Sequence, residues 1–310
     1  MNLKITENDF IRMFRLQDRG VPSLARILFD KLNLTYRLAE REDWNEYIQM
    51  YRDLEQKKSI MRSKEENLLA FERGWSENLE ELLNTSPDNY ENALKPKYFR
   101  GSKFFRYDGN LVVTNNYQLE YELFLIARFC LFHAYLGNSD RIYEVGCGSC
   151  ANLLLLSQAI PQASLVGLDW TEASGRIAVE LGRKLSLSIG GQRFDMLNPD
   201  YSFKIPLSSA IITIHAFEQL GQSYEPILEY ILNASPSIVM QYEPVLEFYD
   251  QNKLFDSLAL SYCQRRGYLQ GYYSKLRQLE NKGRIKIIAA YRPGLGGILH
   301  EQSVLVWRPC

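Results

Sequence analysis

The chain has 310 residues, with 36 Lys and Arg balanced by 37 Asp and Glu for a formal charge of −1, so it lacks the concentrated basic excess that binding a phosphate backbone requires. At 46% hydrophobic and 24% charged residues it can bury a large core, which excludes wholesale disorder. Met1 to Asp9 contains Lys4, Glu7 and Asp9 and no apolar run. The most apolar stretch, Leu123 to Leu136, is short and interrupted by Arg128 and His133, which suits a buried helix rather than a membrane span. Five cysteines, Cys130, Cys147, Cys150, Cys263 and Cys310, make no disulfide framework, and a cytoplasmic protein is expected.

Up to about residue 140 the pattern is helical. Phe10, Ile11 and Phe14, then Leu24, Ile27, Leu28 and Leu32, recur at three- and four-residue spacing. From Asp43 to Leu83 scattered apolar residues among many charges predict solvated amphipathic helices, broken at Asn84-Thr85-Ser86-Pro87-Asp88. The stretch Lys95 to Asn116 predicts a loop or short hairpin, and Gln118 to Tyr135 a helix ending at Gly137.

Beyond residue 140 apolar runs alternate with helical segments. Strands are predicted at Arg141–Val145, Ser164–Leu168, Gln192–Phe194, Ala210–Ile214, Ser237–Gln241, Arg284–Ala290 and Ser303–Trp307, with helices at Asn152–Ile160, Glu172–Leu187 and Tyr224–Asn233. Strands separated by helices imply right-handed crossovers. The fold class is therefore α/β: a doubly wound, Rossmann-like, mainly parallel seven-stranded sheet. The last two strands are joined only by the Gly-rich Pro293 to Gly297, so they should pair antiparallel at one edge. A helical region over residues 1–117 is expected to cap a catalytic domain over 118–310.

Ligands of such sheets bind beyond the carboxyl ends of the strands. There the sequence reads Glu144-Val145-Gly146-Cys147-Gly148-Ser149-Cys150-Ala151-Asn152. Gly146 and Gly148 let the backbone approach a ligand, and the following helix points free N–H groups into the same space. Asp169 at the end of the second strand is placed to hold ribose hydroxyls, with Trp170 beside an adenine, and Asp195-Met196 follows the third strand.

With these residues the sequence resembles the class I S-adenosylmethionine-dependent methyltransferases, over roughly Arg141 to Pro309. The resemblance rests on Glu144, Gly146 and Gly148, on Asp169, on Asp195, and on His215 to Leu220 after the fourth strand; Cys150 stands where that family usually has a third glycine. It implies S-adenosylmethionine as cofactor, with Glu144 near the methionine amino group, Gly146, Cys147 and Gly148 along the cofactor, Asp169 and Trp170 at the ribose and its base, Asp195 and Met196 edging the adenine, and His215 nearby. In that superfamily, helices ahead of the sheet often cover the acceptor site or form a dimer surface, so the resemblance offers two uses for the helical amino-terminal region, a cap over the acceptor or a homodimer contact.

A competing reading is a nicotinamide dinucleotide site, since Gly146, Gly148 and Ala151 also satisfy the G-x-G-x-x-G/A spacing and Asp169 suits a ribose. Glu144, whose charge is poorly placed beside a pyrophosphate, and Asp195 speak against it. A non-catalytic partner subunit that keeps the fold is a third. Methyl transfer to a small-molecule hydroxyl needs a proton acceptor, and His215, Glu218 and Glu243 are the candidates, each with a bland alternative as a structural polar group. Lys97, Tyr98, Arg106, Tyr242 and His300 are candidate acceptor-binding residues. The loop Lys95-Pro96-Lys97-Tyr98-Phe99-Arg100 with Lys103 to Arg106 either binds an anionic acceptor or packs its aromatics and solvates its bases. Tyr262, Tyr268, Tyr272 and Tyr273, with Tyr242 and Tyr249, either line a pocket or, the commoner use, fill a helical core. Cys147 and Cys150 read as small residues in a tight turn, and no metal site is expected.

Overall fold

The structure, a computed structural model, describes residues 2–56, 64–99 and 101–310. Its amino-terminal part runs β1 (Leu3–Lys4), α1 (Glu7–Met13), α2 (Ser23–Lys31), β2 (Thr35–Leu38), α3 (Arg41–Gln56), α4 (Lys64–Asn84), α5 (Tyr90–Leu94), β3 (Phe104–Tyr107), β4 (Asn110–Val113) and α6 (Leu119–Leu136). Thr6 and Asp9 close α1 with reciprocal side-chain-to-backbone bonds, which satisfy amides the helix leaves free. α6 is apolar on every side, and fourteen of its residues are buried, the pattern of a helix enclosed by other elements.

The stretch expected to be a loop or hairpin is the β3–β4 hairpin, turning on Asp108 and Gly109, both with positive φ, the backbone that two-residue hairpin turns favour. The helical region also holds something its sequence did not announce: a five-stranded sheet in the order β1-β2-β4-β3-β11. Its last member, β11 (Leu295–Gly296), comes from the Gly-rich connection near the carboxyl end and pairs antiparallel with β3, Leu295 opposite Tyr107 and Gly296 opposite Arg106. Strands of two to four residues are too short for alternation to register.

The second half runs β5 (Arg141–Val145), α7 (Ala151–Ala159), β6 (Ser164–Asp169), α8 (Glu172–Leu185), β7 (Ile189–Arg193), β8 (Ala210–Ile214), α9 (Glu225–Ala234), β9 (Ile238–Glu243), α10 (Leu254–Arg265), α11 (Tyr272–Asn281), β10 (Ile285–Tyr291) and β12 (Ser303–Pro309). The seven strands lie in the order β10-β12-β9-β8-β5-β6-β7. Five are parallel neighbours, and β12 is antiparallel to both β9 and β10. The order reverses at β5, which has β6 on one side and β8 on the other, so the cleft beyond Val145 is the topological switch point.

Alternation along β5 sends Ile142 into one apolar layer with α6, α7 and α8, and Tyr143 and Val145 into another with α9 and α11, as the two-residue side-chain period requires. A third cluster, with Tyr47, Tyr51, Phe104 and Phe255, seats the hairpin against α10. Among the described residues no helix is long and apolar enough to cross a membrane.

Candidate active site

The turn after β5 is fixed by what it cannot accommodate. Gly146 has φ +82°, and a Cβ there would collide with the Cβ of Ala216. Gly148 has φ +50°, and a Cβ there would lie 2.9 Å from the Trp75 ring. Cys150, where a third glycine was expected, takes the left-handed conformation at φ +61° as the residue before α7. Cys147 packs its sulfur against Gly167. Cys147 and Cys150 are buried with their sulfurs 3.7 Å apart, and the Cys147 thiol is pushed well up by its hydrogen bond with Cys150 and by burial, so it is a neutral packing group.

Glu144 is fully buried. One oxygen accepts from Asn152 Nδ2 at 2.5 Å; among the described residues the other, Oε2, has no hydrogen-bond partner, nor has Asn152 Oδ1 or Arg128 Nε. Burial outweighs Asn152 and Arg128 and pushes Glu144 up to about 8. Two buried acceptors and one buried donor thus stand unpaired beside the glycine turn, a cost of about 1–3 kcal/mol each unless a ligand meets them.

Asp169 closes β6 and holds the turn in place. Its Oδ2 accepts the Gly148 amide at 3.0 Å, and Oδ1 accepts both the amide and the hydroxyl of Thr171. A carboxylate oxygen can accept twice, so Oδ2 keeps one site. Asp195 follows β7 and is gripped by Lys64 Nζ at 2.8 Å, by Asn198 and by the Leu197 amide. Burial raises its carboxyl, but these partners outweigh that and hold it below the usual range. Asp169, Trp170, Asp195 and Met196 line a cavity of about 110 Å³. Phe71 and Trp75 of α4 lie across it, the Phe71 ring 6.2 Å from that of Trp170. The adjoining Glu72 carboxylate accepts the amides of Glu172 and Ala173, tying α4 to the first turn of α8.

On the other side of the turn lies a cavity of about 600 Å³. His215, directly after β8, has φ +58°, a strained conformation for a non-glycine residue. Its Nδ1 lies 3.1 Å from Gln302 Nε2 and 3.8 Å from Glu218 Oε2, and its Nε2 has no hydrogen-bond partner among the described residues. Glu218 is 5% exposed; burial raises its carboxyl, but His215 and Gln219 outweigh this and keep it below the usual range. His300 also faces the cavity. Its Nδ1 lies 3.3 Å from the same Gln302 nitrogen, and burial lowers it to about 4.

Several expected site residues are elsewhere. Glu243 lines neither cavity: its two oxygens accept the amides of Ala216, Phe217 and Glu218, so it braces the turn that carries Glu218 rather than facing a ligand. Tyr242 is fully buried beneath His215, with its ring against Phe14 and Phe124. Arg106 is fully buried under Phe255, bonded to Tyr47 and to the Phe255 carbonyl with Glu301 4.0 Å away. Lys97 points outward to Glu81, and Lys103 to Glu46. Arg100 lies outside the described residues. The hairpin approach nevertheless reaches the cavity through Pro96, Tyr98, Phe99, Gly101 and Ser102: its aromatics form wall, and its described bases turn away. Of the tyrosines, Tyr262 and Tyr268 line the cavity, while Tyr272 is core, bonded to Gln241, and Tyr273 packs on Phe248.

Sequence reasoning missed Arg128, Asn152, Glu120 and Gln302, all on the cavity wall. Arg128 carried a signal, as the one Lys or Arg in the most apolar helix. Phe71 and Trp75 carried none, because their place depends on how α4 folds back.

No family model matches the chain, and no curated protein matches it. Solved structures similar to it include an O-methyltransferase from neocarzinostatin biosynthesis, in complex with S-adenosylmethionine and 2-hydroxy-5-methyl naphthoic acid, at 16% identity over 62% of this chain and 58% of that one, with a TM-score of 0.40. Human N-acetylserotonin methyltransferase in complex with S-adenosylmethionine gives 14% identity over 62% and 57%, with a TM-score of 0.42. Magnesium protoporphyrin IX methyltransferase from Synechocystis PCC 6803 with bound S-adenosylhomocysteine gives 13% identity over 64% and 89%, with a TM-score of 0.46. The chain thus spans under two thirds of the first two.

Proposed function

We propose that the protein is an S-adenosylmethionine-dependent methyltransferase that methylates a small molecule, at a hydroxyl oxygen. The observation that carries this reading is the set of unpaired buried atoms at the glycine turn: Glu144 Oε2 and Asn152 Oδ1 as acceptors and Arg128 Nε as donor. An ammonium and a carboxylate on one amino-acid end complement that set. A pyrophosphate would bring only acceptors against Glu144, and the antiparallel β12 inside the sheet departs from the all-parallel dinucleotide arrangement.

In this reading Glu144 and Asn152 take the ammonium, Arg128 the carboxylate, the free site of Asp169 Oδ2 a ribose hydroxyl, and Trp170, Asp195 and Met196 the adenine. When bound, S-adenosylmethionine supplies a methyl group on a sulfonium. The chain's own residues hold the acceptor in line with it and take its proton. His215 Nε2, unpaired beside the cavity, accepts that proton, and the Glu218 carboxylate 3.8 Å from Nδ1 steadies the charge that results. Glu243 acts through Glu218, whose backbone it holds.

Calorimetric titration with S-adenosylhomocysteine and with NAD tests the reading. Binding of S-adenosylhomocysteine, weakened tenfold or more by Glu144→Gln because a charged hydrogen bond is worth about 1.5–3 kcal/mol, is expected. Binding of NAD alone would overturn it.

A further inference from the structure

The lining of the large cavity carries a carboxylate that nothing in the described chain neutralises. Glu120, in the first turn of α6, lines it, with its carboxylate set against Gly297, where a Cβ would collide with Oε1. Glu120 has no hydrogen-bond or ion-pair partner among the described residues. Burial is the sole cause that pushes its carboxyl up to about 7, with no cation offsetting it. One more acceptor on this lining, Glu218 Oε2, is buried with no hydrogen-bond partner among the described residues. Of the described bases nearby, Lys97, Lys103 and Arg106 are engaged away from the cavity, while Arg128 and Arg266 reach its lining, the Arg266 guanidinium over the Tyr268 ring. The same lining includes an aromatic wall in which His300 stacks on Tyr262, centroids 5.9 Å apart, with Tyr268 edge-on at 5.7 Å.

A carboxylate can only accept hydrogen bonds, and an unpaired one in a partly desolvated pocket is costly until a cation arrives. Aromatic faces favour the same kind of guest. We propose that the acceptor molecule carries a protonated amine, seated on Glu120 against the aromatic wall, in addition to the hydroxyl that is methylated. This reverses the anionic acceptor that the Lys and Arg of residues 95–106 suggested. It rests on the methyltransferase reading only in calling the guest an acceptor.

Three probes with one phenol ring and one two-carbon arm separate the possibilities: tyramine, 4-hydroxyphenylacetate and 4-ethylphenol. Each is titrated calorimetrically at pH 8.5 into full-length protein saturated with S-adenosylhomocysteine, a pH at which Glu120 is ionised and an amine of ordinary pKa is still charged. Tyramine is expected to bind at least tenfold more tightly than the other two, and Glu120→Gln to cut that preference below threefold while S-adenosylhomocysteine binds as before. Equal or tighter binding of the anionic or neutral probe overturns the proposal. So does a preference that survives Glu120→Gln, or failure of all three probes on protein that does bind S-adenosylhomocysteine. Failure of S-adenosylhomocysteine itself would instead overturn the cofactor reading.

Discussion

Gln302 Nε2 stands 3.1 Å from His215 Nδ1, and the same nitrogen lies 3.3 Å from His300 Nδ1. One end of a single amide therefore faces the same ring atom of both imidazoles. If that end is NH₂, both Nδ1 atoms must accept and both rings carry their proton on Nε2. If it is the carbonyl, both carry it on Nδ1. Either way the two neutral rings share a tautomer, and only the Nδ1–H form leaves His215 Nε2 free to take a proton. With three histidines in the chain, two-bond ¹H–¹⁵N correlation spectra at pH 8 can read each one. The expected result is matching Nδ1–H tautomers at His215 and His300, uncoupled by Gln302→Leu. Unlike tautomers in the wild type would mean that Gln302 does not link them, and matching Nε2–H forms would remove His215 as the base.

The two glycines of the turn should not respond alike to alanine. Both pay for a left-handed backbone, about 1–2 kcal/mol. At Gly148 the new methyl meets the edge of a side chain, Trp75, whereas at Gly146 it collides with Ala216, which adds an overpacking cost of about 1–3 kcal/mol. Urea denaturation is expected to show Gly146→Ala the more damaging, at about 3 kcal/mol against about 1.5 for Gly148→Ala. The opposite order would mean that the bend is held differently.

Arg106 and Lys97 looked alike in sequence and should behave as opposites. Arg106→Met leaves the Tyr47 hydroxyl and the Phe255 carbonyl without their buried donor, with an expected loss of about 3 kcal/mol or more. Lys97→Met removes an exposed pair with Glu81 and should stay within about 0.5 kcal/mol. Thermal unfolding of the two variants measures both.

Stability should fall as pH rises. Glu144 and Glu243 are both pushed up to about 8, chiefly by burial, whereas in the unfolded chain each ionises near 4.5. The folded state therefore holds more protons between these values, and the stability they contribute is complete below about pH 4.5 and lost as pH climbs through about 8. Melting of the ligand-free protein at pH 5.5 and 8.5 should show a drop of several degrees, smaller in Glu144→Gln. Equal drops in the two proteins would take Glu144 out of that account.

The sheet and its ligand edge were legible from residue type and spacing alone. Strands such as Arg141–Val145 and Ala210–Ile214 carry apolar residues toward both faces and are separated by helix-length intervals, and Gly146 and Gly148 had to mark a tight bend. Those signals are local, carried by residue type and spacing within about ten positions. Which polar groups meet was settled instead by long-range packing. Arg106 was drawn into the core and Lys97 left outside, though both sit in one basic, aromatic stretch. Glu120, Arg128 and Gln302, from two distant segments, were brought to one cavity by the packing of α6 against the sheet and by the return of the β11–β12 connection. A charged residue's role depends on what is desolvated with it, and that is set by contacts across more than a hundred residues of chain, which no local pattern records.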